Sequence, residues 1–106
     1  MTAYTLMVLS KPVEGKENEY NDWYTNTHLG DVLRLPGMVS ARRFKVSPGQ
    51  ESSHEYLALY NVETDDVSAI LTELTKRART PEMSISPALG DAQMTIFEAI
   101  TPVHTA

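Results

Sequence analysis

The sequence contains no cysteine. Disulfide bonds, thiolate zinc sites, iron–sulfur clusters and cysteine nucleophiles are therefore excluded. Long apolar runs are also missing, and the uncharged stretches near the N-terminus have the length of a strand rather than of a membrane span. The first residues, Met1 to Tyr4, lack the basic start and apolar run of a signal peptide. We expect a soluble, cytoplasmic protein with no membrane partner.

Basic residues are scarce, with 9 lysines and arginines against 14 acidic residues and a net charge of −5. Phosphate binding needs a clustered basic surface, so nucleic acid is not expected as a partner. The 3 histidines lack the spacing of metal ligands, and the 5 glycines are scattered rather than grouped in a phosphate-binding loop. No serine lies in the context of a nucleophile elbow. We therefore expect neither a metal nor another cofactor.

The chain has 106 residues, of which 42% are apolar, and this fits one domain over residues 1–106. Periodicity predicts strands over residues 4–9, 38–46, 55–62 and 92–100. It predicts one helix over about residues 14–35, which Gly30 should break or kink, with Asp31 as the cap of a short second turn. A second helix should begin at Thr64 as its N-cap and end before Pro81, and residues 81–90 read as a loop.

This order of elements, β-α-β-β-α-β, predicts an α+β fold of the ferredoxin-like sandwich type. In that fold both helices cover the same face of a four-stranded sheet. The predicted strands nevertheless carry apolar residues on both faces, as in Leu6 and Val8 against Met7 and Leu9. Because the second face also needs cover, we expect a homodimer in which two sheets meet.

A continuous stretch from Glu19 to Phe44 carries the most specific pattern in the chain. It contains the pair Trp23-Tyr24, a histidine four residues after the tyrosine at His28, and Leu35-Pro36-Gly37 before the strand with Arg42-Arg43. This stretch resembles the EthD-like branch of the dimeric α/β-barrel superfamily. The resemblance implies a dimer with a pocket between helices and sheet. It does not imply one chemistry, because the superfamily includes cofactor-free oxygenases, cyclases, dehydratases, lyases, haem-handling enzymes and members without known activity.

His28 is the leading catalytic candidate. Its imidazole titrates near neutrality, and it lies on the same helical stripe as Tyr20, Trp23, Tyr24 and Thr27. A neighbouring tyrosine hydroxyl or Asp31 would fix its tautomer. The alternative is a structural histidine that binds a backbone carbonyl at the helix end. We expect a pocket-lining His28 that acts as general acid or base, with Tyr24 as a catalytic hydrogen-bond donor.

Five further residues are candidates for substrate binding: Tyr20, Trp23, Thr27, Arg43 and Tyr56. For Trp23 the alternative is ordinary packing of helix against sheet. Arg42 and Arg43 lie on opposite faces of a strand, so one of them must point inward, and the pattern leaves open which. An inward arginine would pair either with a carboxylate of Glu19 or Asp22, or with an anionic ligand. His54 either completes a polar site or lies exposed at a strand start.

Two functions are compatible with these patterns. The first is a cofactor-free enzyme, of the lyase, dehydratase, cyclase or oxygenase class, that acts on a small aromatic or polyketide-like compound. The second is a non-catalytic binding or accessory protein for a hydrophobic metabolite, since no second strong catalytic group lies at a diagnostic spacing.

Overall fold

Four strands and three α-helices form the chain in the computed structural model, which describes residues 1–106. The elements, in chain order, are β1 (Thr2–Pro12), α1 (Glu17–Trp23), a π-helical turn (Tyr24–His28), α2 (Leu29–Leu33), β2 (Met38–Lys45), β3 (Tyr56–Thr64), α3 (Val67–Arg77) and β4 (Leu89–Glu98). The sheet has the strand order β2-β3-β1-β4, and all neighbours are antiparallel. The predicted α+β, ferredoxin-like order of elements is confirmed.

The two central strands carry the core on the face that the helices cover. Leu6 of β1 lies opposite Tyr60 of β3 and Ile96 of β4, so these three side chains share that face. Leu6 and Tyr60 are each 1% exposed, and Val62 further along β3 is equally buried. Alternation along a strand sends every second side chain to the same side. The helices therefore rest on one continuous apolar surface.

The first helical segment differs from the sequence prediction. The Leu29 N–H donates to the Tyr24 carbonyl, five residues back, and this defines the π-helical turn between α1 and α2. Gly30 lies inside α2, so the predicted break of the helix at Gly30 is wrong. Asp31 is likewise no cap: it is buried within α2, and its carboxylate accepts a hydrogen bond from Arg34 at 2.7 Å. Packing of the helix on the sheet outweighs the weak helix propensity of one glycine.

The second predicted helix is confirmed as α3, but its N-cap is Asp66 rather than Thr64. The Asp66 carboxylate accepts a hydrogen bond from the Ala69 N–H at 3.2 Å, while the Thr64 hydroxyl accepts one from the Asp66 N–H. After α3 the chain forms a loop over residues 78–88. Met83 and Ala88 of this loop are completely buried, so the loop forms part of the core.

The other face of the sheet has no helix over it. Cross-strand pairing places six apolar side chains there: Met7, Leu9, Phe44, Leu57, Leu59 and Phe97. Phe44 is 40% exposed and Phe97 is 53% exposed. Arg42 also lies on this face, with its guanidinium 5.6 Å from the centre of the Phe44 ring. No helix in the chain is long and apolar enough to cross a lipid bilayer.

Two glycines provide a matched test of this fold. Gly37 has φ +94°, and a Cβ there would lie 3.1 Å from the Glu63 carbonyl oxygen, whereas a Cβ on Gly30 would meet nothing within 4 Å. Gly37→Ala should lower the free energy of unfolding by about 2 kcal/mol, because alanine disfavours the left-handed region. Gly30→Ala should raise it by up to about 1 kcal/mol, as expected inside a regular helix.

Urea unfolding followed by circular dichroism measures both changes. A loss of stability in Gly30→Ala would contradict the continuous helix described here.

Candidate functional site

A cavity of 480 Å³ lies between the sheet, the start of α2, the end of α3 and the loop that follows α3. Eleven of its fourteen lining residues are apolar. They come from every surrounding element and include Leu6, Val32, Leu74, Met83, Ile85 and Met94. The three polar ones are His28, Thr75 and Arg79. A concave, mostly apolar site with few polar groups is typical of small-molecule binding.

The π-helical turn determines where His28 points. Trp23 is five residues before His28, and their rings stack with centroids 4.6 Å apart and planes 27° apart. Tyr24, four residues before, meets the same imidazole edge-on at 4.9 Å. In a regular α-helix a residue and its fifth neighbour point in different directions, whereas π-helical geometry brings them together. The turn therefore sandwiches His28 against two aromatic rings at the cavity wall.

No hydrogen bond within the protein reaches the His28 ring, and its Nδ1 atom is fully buried without a partner. The interpretation of His28 as a structural histidine bound to a backbone carbonyl is therefore not supported. Because His28 lines the cavity and Nδ1 is buried, Nε2 is the nitrogen available to a ligand. Burial lowers the pKa of His28 to about 4, although the nearby Asp31 carboxylate opposes this shift. The imidazole is neutral at physiological pH.

Tyr24 and Tyr60 form a buried pair of phenols beneath this imidazole. The Tyr60 hydroxyl donates to the Tyr24 hydroxyl at 3.2 Å. Burial raises the pKa of Tyr24 to about 12, and burial also raises the pKa of Tyr60 strongly. Both hydroxyls therefore remain protonated at neutral pH. Tyr60 lines the cavity directly. Tyr24 does not line it, but contacts two residues that do, Tyr60 and His28.

Arg43 points to the helix-covered side of the sheet, away from this cavity. Its guanidinium donates to the Thr25 hydroxyl at 2.8 Å and to the Asn21 side-chain oxygen at 3.0 Å. It also lies 4.5 Å from the centre of the Tyr24 ring. The predicted ion pair with Glu19 or Asp22 is absent, because neutral oxygens and aromatic faces surround the charge instead.

Tyr20 and Tyr56 lie on the Arg43 side, each with its ring centre 5.4 Å from the Arg43 guanidinium. Tyr20 is fully buried, with its hydroxyl bonded to that of Ser10. The Tyr56 hydroxyl donates to a Glu17 carboxylate oxygen at 2.6 Å. Their hydrogen bonds are thus made within the protein.

Trp23 stacks on the His28 ring, and the Trp23 Nε1–H donates to the Ser84 carbonyl at 3.2 Å. Thr27 is exposed to solvent and does not line the cavity. Of the seven residues predicted for the site, His28 alone lines this cavity, and Trp23 and Tyr24 hold its ring. The structure places Tyr20, Thr27, Arg43 and Tyr56 outside the cavity lining. The π-helical turn accounts for Thr27, which it turns outward, whereas Tyr20, Arg43 and Tyr56 belong to α1, β2 and β3 and form a separate cluster.

Sequence reasoning missed several cavity residues, of which Tyr60, Thr75 and Arg79 bear polar groups. Tyr60 could have been found from the sequence, because it lies four residues after Tyr56 and therefore on the same buried face of the strand. No sequence pattern identifies Arg79, Met83 and Ile85, because they belong to a loop without periodicity.

His54 is neither exposed nor part of the cavity. It is 5% exposed, and its Nε2 lies 2.6 Å from an Asp91 carboxylate oxygen. The pair joins the start of β3 to the start of β4, and the hydrogen bond from His54 lowers the pKa of Asp91. No group of three or more histidine, aspartate or glutamate side chains comes together as a metal site.

The buried imidazole makes stability depend on pH. In the unfolded chain His28 has an ordinary pKa of 6.5, against about 4 in the fold. Between these values the unfolded chain binds a proton that the folded state excludes, so stability falls as the pH falls. The loss should reach about 2 kcal/mol between about pH 7.5 and about pH 4.5.

Urea titrations of wild type, His28→Phe and His104→Gln across this range measure the effect. His28→Phe keeps the ring stack on Trp23 and should lack this part of the pH dependence. His104→Gln, in the exposed tail, should retain it. Equal slopes in all three proteins would contradict the buried neutral imidazole.

Comparisons with known proteins give one sequence relative, and no known family profile matches the chain. The relative is core atranone cluster protein 1 of Stachybotrys chlorohalonatus, 43% identical over 63 residues. The match covers 55% of this chain and 25% of that protein, so the chain spans a small part of its relative.

Three solved structures show the same architecture. The haem degrader MhuD of Mycobacterium tuberculosis has a TM-score of 0.65 at 14% identity, with 95% of this chain and 99% of that chain covered. The cofactor-independent oxygenase SnoaB of Streptomyces nogalater has a TM-score of 0.56 at 15% identity, with 96% of each chain covered. An EthD family protein of Bacillus halodurans has a TM-score of 0.54 at 16% identity, with 94% of this chain and 100% of that chain covered.

At such low identity these likenesses establish the fold. The predicted resemblance is therefore confirmed at that level: the chain has the ferredoxin-like fold of EthD-like and other dimeric α/β-barrel proteins.

Proposed function

We propose that the protein is an enzyme that acts on a small aromatic or polyketide-like compound bound in the cavity beside His28. One observation carries the proposal: an imidazole that forms no hydrogen bond within the protein, with its Nδ1 buried, lines a mostly apolar cavity. Leaving a buried polar atom unpaired costs about 1–3 kcal/mol, and such exceptions are concentrated at functional sites. A volume of 480 Å³ lies within the usual range for small-molecule sites.

The neutral imidazole suits proton abstraction. Nε2 accepts a proton from an acidic C–H or O–H of the ligand, which leaves an enolate or phenolate beside the imidazolium. Returning that proton to carbon, or to a departing hydroxyl group, completes a lyase, dehydratase or cyclase reaction. The apolar side chains beside His28 lower the local dielectric, which would strengthen the attraction between the two charges. A cofactor-free oxygenase would begin from the same carbanion with molecular oxygen as co-substrate.

Tyr24 has a supporting role in this scheme. Its hydroxyl accepts the hydrogen bond from Tyr60, and its ring edge fixes the plane of the imidazole. Because both phenols keep their protons at neutral pH, they would orient His28 and the ligand without competing as bases. Trp23 would hold the opposite face of the ring in place.

The fold comparisons support a small-molecule site. SnoaB is a cofactor-independent oxygenase, and MhuD is a haem degrader that holds two haems in its active site. The same fold therefore supports cofactor-independent oxygenation in one of these proteins and haem degradation in the other.

The test begins with native purification and identification of any co-purified small molecule by mass spectrometry. Turnover of that compound, and of a panel of aromatic ketones and polyketide-like diketones, is then compared between variants. His28→Phe should lose about 10²–10⁴-fold in rate while it remains folded, the usual contribution of a general base. Thr27→Ala, on the exposed side of the same turn, should keep wild-type activity.

The pH profile supplies a second criterion. Because the free enzyme needs a neutral His28, kcat/KM should rise with pH through about 4 and stay flat above about pH 6. Unchanged turnover in His28→Phe would rule out the mechanism.

A non-catalytic carrier or accessory protein is the second candidate function. Two observations favour a carrier: the low basicity of His28, and the lack of any charged lining residue apart from Arg79. Ligand affinity that survives His28→Phe, with no product formed by wild type, would support this function over the enzyme.

We also propose that the protein is a homodimer that joins the uncovered faces of two sheets. The six apolar side chains on that face support this, because large contiguous apolar patches are rare on monomers. Light scattering on a sizing column should give twice the 11.8 kDa of one chain.

Leu59→Lys, at the centre of that face, should give a folded monomer, because each dimer would bury two unpaired charges. Thr72→Lys, on exposed α3, is the matched control and should leave the dimer intact. A wild-type monomer at micromolar concentration would contradict the proposal.

A further inference from the structure

Arg79 occupies an unusual backbone position at the cavity. It is the sole residue other than glycine with a positive φ, +67°, and it lies two residues after Arg77, where α3 ends. Glycine is the common residue at this position after a helix, because a Cβ disfavours the left-handed region. An arginine here maintains local strain, and such outliers are concentrated at functional sites.

Several hydrogen bonds hold this conformation. The Arg79 N–H donates to the Met83 carbonyl at 2.9 Å, and the Met83 N–H donates to the Thr80 carbonyl at 3.0 Å. The Thr80 hydroxyl in turn donates to the Arg77 carbonyl at 2.6 Å. Met83 is 1% exposed and thereby anchors the turn in the core. The strained backbone is thus fixed, and it presents the Arg79 side chain at the cavity.

The Arg79 guanidinium has no partner in the protein. The other four arginines pair with a carboxylate, a neutral oxygen or an aromatic ring, as with Arg34 and Arg43. Glu73 and Glu82, the acids nearest in sequence, both pair with Arg77, at 2.7 Å and 3.5 Å. Neither carboxylate pairs with Arg79, whose side chain is exposed to solvent.

Arg79 is also the one charged group among the cavity-lining residues at neutral pH. The remaining polar groups are uncharged: His28, the Tyr60 hydroxyl, which donates to Tyr24 at 3.2 Å, and Thr75, whose hydroxyl donates to the Leu71 carbonyl at 3.0 Å. A site of this kind favours a ligand with an apolar body and one anionic end. The planar guanidinium matches a carboxylate with two parallel hydrogen bonds.

We propose that the cavity binds an amphipathic organic acid, with its apolar body against the cavity wall and its anionic group paired with Arg79. This rests on the proposed small-molecule function and specifies its substrate class as an aromatic or polyketide-like acid. Arg79 is then the specificity-determining residue, and His28 is left free for the chemistry at the apolar end. The backbone strain at Arg79 positions the charge at the rim, where the anion keeps contact with water.

Two fluorescent probes of matched shape test the proposal. One is 8-anilinonaphthalene-1-sulfonate, an aromatic anion, and the other is N-phenyl-1-naphthylamine, which lacks the sulfonate. Wild type should bind the anion about 10-fold more tightly than the neutral probe, the typical effect of one charge-assisted contact. Arg79→Gln should remove this preference and leave affinity for the neutral probe unchanged.

Lys76→Gln is the matched control, because it removes the same charge from the exposed side of the same helix end. It should change neither affinity. Ala92→Phe, which adds a bulky ring to the cavity wall, should weaken binding of both probes.

Equal binding of both probes, unaffected by Arg79→Gln, would overturn this proposal and leave the small-molecule function standing. An equal loss in Arg79→Gln and Lys76→Gln would also overturn it, because the effect would then be one of net charge. Failure of wild type to bind either probe, or binding of both probes that Ala92→Phe leaves unchanged, would overturn both this proposal and the proposed function.

Discussion

The stack of His28 on Trp23 is the contact on which the candidate site depends. It exists because the helix widens into a π-helical turn at Tyr24–His28, which brings residues five apart onto one face. The same turn sets the Tyr24 edge against the imidazole and lets α2 continue onto the sheet with Val32 buried. Without the extra residue in this turn, His28 would rotate away from the cavity wall.

Burial of that imidazole then decides its chemistry. Since the ring forms no hydrogen bond and its Nδ1 is sealed among aromatic groups, the charged form is disfavoured and the pKa falls to about 4. The two phenols beneath it are held neutral by the same burial. The deep part of the cavity therefore lacks charge, and the one charge at its wall is the Arg79 guanidinium. This polarity gives a bound acid a single preferred orientation.

Much of the fold was predictable because strands and regular helices have fixed periods. Leu6 and Tyr60 follow the alternation of buried strands, and Ile70 and Leu74 follow the helical stripe of α3. The candidate site was predictable only in part. A helical wheel assumes 3.6 residues per turn, so it placed Thr27 inward and could not place Trp23 over His28. Alternation along the strand shows that Arg42 and Arg43 lie on opposite faces, but it does not show which of them faces the helices. The pairing of Arg43 with Ala58 in the sheet answers this. Arg79 depends on a backbone dihedral angle in a loop, which carries no periodic signal.

Nuclear magnetic resonance titration of the His28 ring carbon protons tests the central claim most directly, with the exposed His104 as an internal reference. The account predicts a midpoint near 4 for His28, far below that of a solvated histidine. It also predicts that an aromatic acid that fills the cavity perturbs the His28 signals and leaves those of His104 unchanged. An ordinary midpoint near 6.5, with no response to such a ligand, would show a solvated imidazole and contradict the account.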